Sequence, residues 1–135
     1  MISLSEFKPI TVADIMTPRV VTGKPTDDLS GIAGEMRRHK IGSVVIMENQ
    51  RIVGILTERD FVRIIEQLGS LVKKNQAKHY MVKPVITVQF DTPVREAIKL
   101  MREERVRHLI VLNKDLGVVG VVSSRDLMKV LEGNL

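Results

Sequence analysis

At 135 residues and 15.2 kDa the chain has the length of a single domain. Its 44% apolar and 27% charged residues and mean hydropathy of +0.05 are those of a globular protein, not a disordered one. No cysteine is present, which excludes disulfides, thiol catalysis and cysteine-ligated zinc, and 21 Lys and Arg against 16 Asp and Glu leave a net charge of +5.

A basic excess points to an anionic partner. Aromatics are only 3%, so a stacking platform for single-stranded nucleic acid is poorly supplied. The opening MISLSEFKPI lacks a basic start followed by a long apolar stretch and does not read as a signal peptide. The longest apolar runs are about six residues, against roughly 20 for a membrane span. The expected location is the cytoplasm, with no membrane partner.

In chain order, the apolar pattern predicts a short strand over 20–22 and a helix over 28–39. Leu29, Ile32, Ala33 and Met36 give that helix its i, i+3, i+4, i+7 stripe. Gly31 and Gly34 lie inside it and are expected to allow close packing. Arg37, Arg38, His39 and Lys40 complement the helix dipole at its C-terminus. Strands follow over 43–48 and 51–57, joined by a tight turn at Glu48-Asn49-Gln50. A final helix over 58–69 carries the stripe Phe61, Ile64, Ile65, Leu68. Residues 70–76 (SLVKKNQ) are polar enough to be a connector.

The same series then recurs. A strand over 85–88, a helix over 93–104, strands over 107–112 and 117–123, and a helix over 124–133 repeat the first set. Val94, Ala97, Ile98 and Met101 reproduce the first stripe at a shift of 65, as Met81 reproduces Met16 and Thr87 reproduces Thr22. SVVIM (43–47) matches HLIVL (108–112). One extra residue in the turn Asn113-Lys114-Asp115 then moves the shift to 66, at which RIVGILTERDF (51–61) matches GVVGVVSSRDL (117–127). Thr92-Pro93 suits an N-cap followed by proline at the first helical position. Leu127, Val130 and Leu131 repeat the last stripe. Strands that are continuously apolar are covered on both faces. A copy of about 60 residues would leave one sheet face bare, so the two copies are expected to pack on each other with pseudo-two-fold symmetry. The expected division is 1–69, a linker at 70–76, and 77–135.

The chemistry-bearing constellation is Gly54-Ile55-Leu56-Thr57-Glu58-Arg59-Asp60 and its echo Gly120-Val121-Val122-Ser123-Ser124-Arg125-Asp126. A Ser or Thr followed three residues later by an acid, before an apolar stripe, is a capping box. It is also a nucleotide site in outline. Amides at a strand-to-helix corner, a hydroxyl and an Arg can hold a phosphate. An Asp one turn on, with two carboxylate oxygens, can accept from two vicinal ribose hydroxyls.

Taken in order, these segments resemble a tandem pair of cystathionine-β-synthase-type (CBS) domains, a Bateman module. The resemblance runs from about Val12 to Leu131. It rests on Asp14-Ile15-Met16-Thr17-Pro18, Val20-Val21-Thr22, Ile41 to Ile46 and GILTERD, and in the second copy on Tyr80-Met81, Val85-Ile86-Thr87, Arg105 to Val111 and GVVSSRD. No single motif is specific, but their order and duplication are.

The resemblance implies an α/β fold of two β-α-β-β-α repeats packed through their sheets, with two clefts between them. It implies a stand-alone, non-catalytic regulatory module that binds an adenine nucleotide (AMP, ADP or ATP) and signals to a partner in trans. S-adenosylmethionine is the alternative ligand. A homodimer is also implied. The motif Asp60 or Asp126 would hold the ribose, and Thr57 or Ser123 with Arg59 or Arg125 would face ribose and phosphate. Met16, Val21, Ile41 and Gly42 would line the base in copy one, and Met81, Ile86, Val106 and Arg107 in copy two. In the family one cleft can combine the strand positions of one repeat with the Asp of the other. Many members carry Leu-Pro-Val in the second strand, where this chain has Ser43-Val44-Val45 and Leu109-Ile110-Val111. The two sites differ, because Gly42-Ser43 is uncharged and Arg107-His108 basic. Arg107 should favour more phosphates, and His108 could make its cleft pH-sensitive.

Other chemistries find no motif. His39, His79 and His108 have no histidine partner at i, i+4 and no H-E-x-x-H setting, so a metal is not expected. No G-x-S-x-G or phosphate-loop Gly-Lys-Ser/Thr occurs, and no base stands near Thr57 or Ser123 in sequence. The rival to the nucleotide reading is a basic nucleic-acid-binding module, which a steep salt dependence would reveal.

Overall fold

A computed structural model describes residues 10–132. The expected outer limits Met1 and Leu135, and the last residue of the final predicted helix, Gly133, lie outside the described residues. The elements in order are α1 (Val12–Ile15), β1 (Thr22–Gly23), α2 (Leu29–His39), β2 (Ser43–Glu48), β3 (Arg51–Thr57), α3 (Glu58–Leu68), β4 (Thr87–Gln89), α4 (Val94–Glu104), β5 (His108–Leu112), β6 (Val118–Ser123) and α5 (Ser124–Leu131). Two 3-10 turns, Gly69–Lys74 and Ala77–His79, occupy the connector.

The chain forms a mixed α/β fold with two three-stranded sheets, ordered β1-β2-β3 and β4-β5-β6. Each begins with a parallel pair and continues as an antiparallel hairpin. The repeat is kept to the residue. Thr22 pairs with Val45 as Thr87 pairs with Ile110, and Ser43 pairs with Thr57 as His108 pairs with Ser123. Both hairpins bulge at the same place, Ile46/Met47 and Val111/Leu112. The short turn of the first hairpin is made by Asn49 and Gln50 at positive φ. The extra residue of the second is absorbed in a loop where Asn113 Oδ1 accepts from the amides of Asp115 and Gly117.

The compact units do not coincide with the sequence repeats. One unit is Val21–Val85; the other joins residues 10–20 to residues 86–132. The lead-in of copy one therefore serves copy two, and the connector serves copy one. In the first unit, Val82 forms a bridge with Ile55 on the free side of β3. In the second, Thr17 forms the equivalent bridge with Val121 of β6. Such a strap consumes edge amides and carbonyls that would otherwise invite a foreign strand.

The straps also cap helices. Leu29 N donates to Asn75 O at 2.9 Å, and Val94 N donates to Ile10 O at 2.9 Å. This displaces the expected Thr92 cap. Pro93 is the N-cap residue, without a side-chain bond, and α4 starts at Val94.

Each unit has its own core. Leu29, Ile32, Met36, Val44, Ile46, Leu56, Phe61, Ile64 and Ala77 form one; Val12, Val94, Ala97, Met101, Leu109, Val111, Val122 and Leu127 form the other. The opposite sheet faces are buried too, since Val45 and Ile55 are 0% and 8% exposed and Ile110 and Val121 are 1% and 7%. Fully covered strands need no polar alternation, which is why these runs are continuously apolar.

Two expectations about the helices fail. Ile65 and Leu131, expected in the buried stripes, stand exposed at 57% and 79%, and Val62 and Met128 one turn away are exposed at 70% and 58%. Gly31 and Gly34 meet nothing within 4 Å and face solvent, so they permit no close packing. Gly31→Ala and Gly34→Ala are therefore expected to stabilise the protein by about 0.5–1 kcal/mol each, by removing backbone entropy from the unfolded chain. Urea midpoints would check this; a fall in either would show that α2 needs the missing side chain.

Candidate functional site

Each unit places a strand-to-helix corner where β2 or β5 begins. In the first unit β3 ends at Thr57 in extended backbone, and α3 starts at Glu58. Thr57 N and Thr57 Oγ1 both donate to Asp60 Oδ2 at 2.9 Å, and Asp60 N returns a bond to Thr57 Oγ1 at 3.3 Å. The other unit repeats this. Ser123 N and Oγ donate to Asp126 Oδ2 at 2.8 and 3.0 Å, and Asp126 N donates to Ser123 Oγ at 3.2 Å. Both motifs are capping boxes with Asp as the reciprocal acid.

The boxes leave specific atoms over. With Oδ2 fully used, only Oδ1 of each Asp remains to accept a ligand, so acceptance through two separate oxygens is corrected to acceptance through one. Neither carboxylate is lost in bulk solvent: the Asp60 side chain is 15% exposed, and Asp126 is half-buried. The helix amides are also partly spent. Glu58 N donates to Gly42 O at 3.0 Å, and Ser124 N to Arg107 O at 2.9 Å. An incoming anion would thus meet the Arg59 or Arg125 amide and guanidinium rather than a row of free N–H groups.

The same bonds gather the other expected residues. In the first unit, Lys40 turns left-handed at the end of α2, and Ile41 N donates back to Met36 O. That turn delivers Ile41 and Gly42 to the start of β2, beside Thr57. Val21 lies alongside, its carbonyl accepting from Val45 N. In the second unit Arg105 makes the same turn, Val106 and Arg107 enter β5 beside Ser123, and the Ile86 carbonyl accepts from Ile110 N. His108 pairs across from Ser123.

Met16 and Met81 do not keep to their sequence copies. A Cβ on Gly54 would lie 2.6 Å from Met81 Sδ, and one on Gly120 would lie 2.9 Å from Met16 Cγ. Met16 therefore belongs with Ile86, Val106 and the Ser123 corner, and Met81 with Val21, Ile41 and the Thr57 corner. The grouping read from the sequence is corrected accordingly. A depression of about 530 Å³ along α4, lined by Val94, Arg95, Ile98, Lys99, Arg102 and Glu103, contains none of the expected site residues.

Two residues beside the first corner escape sequence reasoning. Arg63 Nη2 lies 3.5 Å from Asp60 Oδ1, the oxygen left over by the box. Glu58 lays its carboxylate over Gly42, with Oε1 3.3 Å from where a Cβ would be. Helical i, i+3 spacing signals the first; the second needs the strand register.

Matched capping-box corners on two α/β units of the same strand order define a tandem-repeat module. The family model for the CBS domain matches twice, over residues 12–67 and 77–133, and the chain belongs to the CBS domain family as a tandem pair. It is 37% identical over 125 residues to an uncharacterised protein of Methanopyrus kandleri, covering 92% of this chain and 64% of that one. The chain thus spans less than two-thirds of that relative. A crystal structure of a CBS domain protein superposes with a TM-score of 0.76 at 36% identity, covering 86% of this chain and 91% of the other. A CBS domain pair solved in complex with 5′-methylthioadenosine and S-adenosyl-L-methionine superposes at 0.81 with 24% identity, covering 95% and 100%. That last likeness shows the shared fold. Among the described residues no helix is long and apolar enough to cross a membrane.

Proposed function

We propose that this chain is a non-catalytic regulatory module of the cytoplasm that binds an adenine nucleotide, AMP, ADP or ATP, at its two corners and passes that state to a partner protein in trans. The observation that carries the reading is the single spare carboxylate oxygen, Oδ1, left by each duplicated capping box. Asp60 and Asp126 accept ribose hydroxyls there. Thr57 with Arg59, and Ser123 with Arg125, face the phosphates. Half-buried apolar side chains supply the base-lining surface: Val21, Ile41 and Met81 by one corner, Met16, Ile86 and Val106 by the other.

A ligand signals only through different affinity for two conformations, so binding alone would not suffice for regulation. The reading includes a homodimer. Val62 and Ile65 on α3 recur as Met128 and Leu131 on α5, four exposed apolar side chains at matched places. Such repetition is more economically explained by a covered surface than by scattered exposure. S-adenosylmethionine is the second ligand, favoured by the related pair solved with it.

Thermal unfolding with AMP, ADP, ATP and S-adenosylmethionine tests the reading. A ligand at 100 times its Kd should add about 2.7 kcal/mol of stability. A flat response to all four compounds would remove the proposal. Binding to a DNA duplex that collapses between low and moderate salt would transfer support to the nucleic-acid alternative.

A further inference from the structure

The two corners match in backbone and differ in charge. At the first, Glu58 occupies the opening position of α3 and its carboxylate covers Gly42, where the chain enters β2. Arg63 reaches to 3.5 Å from Asp60. Two carboxylates, Glu58 and Asp60, thus stand with two cations, Arg59 and Arg63. At the second corner, Ser124 replaces Glu58, Arg107 replaces Gly42 and Lys129 replaces Arg63. One carboxylate, Asp126, stands with three cations, Arg107, Arg125 and Lys129. Among the described residues Asp126 has no ion pair equivalent to the one between Arg63 and Asp60.

We infer that the corners sort adenosine compounds by the charge at the 5′ carbon, with Glu58 as the deciding residue. The Thr57–Asp60 corner binds a nucleoside whose 5′ substituent is neutral or cationic in preference to a polyphosphate. The Ser123–Asp126 corner prefers the polyphosphate. This rests on the adenosine reading above and goes beyond it by assigning a different ligand class to each corner.

The physical reason is like-charge repulsion at short range. A phosphate held by the Arg59 amide and guanidinium has the preceding residue's carboxylate as its neighbour. At the partly screened surface of a protein, two such charges a few ångströms apart repel strongly enough to change affinity by about tenfold. A neutral thioether chain meets no such penalty, and a sulfonium or ammonium group is attracted. At the other corner the Ser124 hydroxyl can donate to a phosphate oxygen, and Arg107 and Lys129 add charge.

Calorimetric titration with 5′-methylthioadenosine, S-adenosylmethionine, AMP and ATP tests the inference, each corner being isolated by Asp126→Asn or Asp60→Asn. With only the Thr57 corner intact, S-adenosylmethionine or methylthioadenosine should bind at least tenfold more tightly than ATP. With only the Ser123 corner intact, the order should reverse. Glu58→Gln, a change at an exposed side chain, should raise ATP affinity at the first corner about tenfold and leave methylthioadenosine within twofold. Ser124→Glu should lower ATP affinity at the second corner to a similar degree. The same ligand order at both corners, or an unmoved ATP affinity in Glu58→Gln, overturns the sorting while leaving adenosine binding intact. Failure of all four compounds at both corners removes both readings together.

Discussion

Gly120→Val is expected to destabilise the protein by about 2–3 kcal/mol, at the upper end of the range for overpacking. A Cβ at this position would lie 2.9 Å from Met16 Cγ and 3.0 Å from the Thr17 carbonyl oxygen. The methionine can swing away, because it is flexible. The carbonyl cannot, because it accepts from Val121 N at 3.1 Å while Thr17 N donates to Val121 O at 2.9 Å. The substitution therefore pushes the strap off the strand it protects. Gly54→Val meets Met81 first, with Sδ, Cγ and Cβ at 2.6, 2.7 and 2.9 Å. Its loss should be partly recovered by Met81→Ala, which removes the two nearest of these atoms. Chemical denaturation of both variants checks these losses, and a wild-type midpoint for Gly120→Val would show that the strap is not held in this place.

The second large effect is on ligand affinity. Asp126→Ala is expected to weaken adenine nucleotide binding at its corner by about 1.5–3 kcal/mol, tenfold or more, and to cost about 1 kcal/mol of stability through the lost cap. Asp126→Asn should separate the two roles. The amide oxygen can take over the Oδ2 position and keep accepting from Ser123 N and Oγ. The atom facing outward then becomes an NH2 donor where a ribose hydroxyl needs an acceptor. Stability should change little while affinity falls as far as in the alanine variant. Asp60→Ala and Asp60→Asn should behave alike at the other corner, toward the adenosine compound that corner prefers. Wild-type affinity in both Asn variants would reduce the motif to a helix cap.

These expectations separate what was local from what was not. The capping boxes were legible because Thr57 and Asp60, or Ser123 and Asp126, are three residues apart and need only helical geometry to meet. The stripes at Leu29 and Val94 were legible for the same reason. Ile65 and Leu131 belong to the predicted stripes yet are exposed, because periodicity places a residue on a helix flank without saying how wide the covered face is. Gly31 and Gly34 show the same limit. The Thr92 cap failed because a distant carbonyl, Ile10 O, competes for the amide of Val94. Glu58 over Gly42 is a contact between a helix start and a neighbouring strand, and no sequence spacing encodes it.

Taken alone, the sequence determined the duplication, the order of elements, the register-keeping insertion at the second hairpin and the two corners, all of which arise from neighbours close along the chain. The tertiary structure alone decided which lead-in serves which repeat. The physical reason is degeneracy. Met16 and Met81 occupy equivalent positions, as do Gly54 and Gly120, so either pairing satisfies the same local pattern. Only backbone bonds such as those joining Thr17 to Val121 and Ile55 to Val82 distinguish the exchanged arrangement from the sequential one.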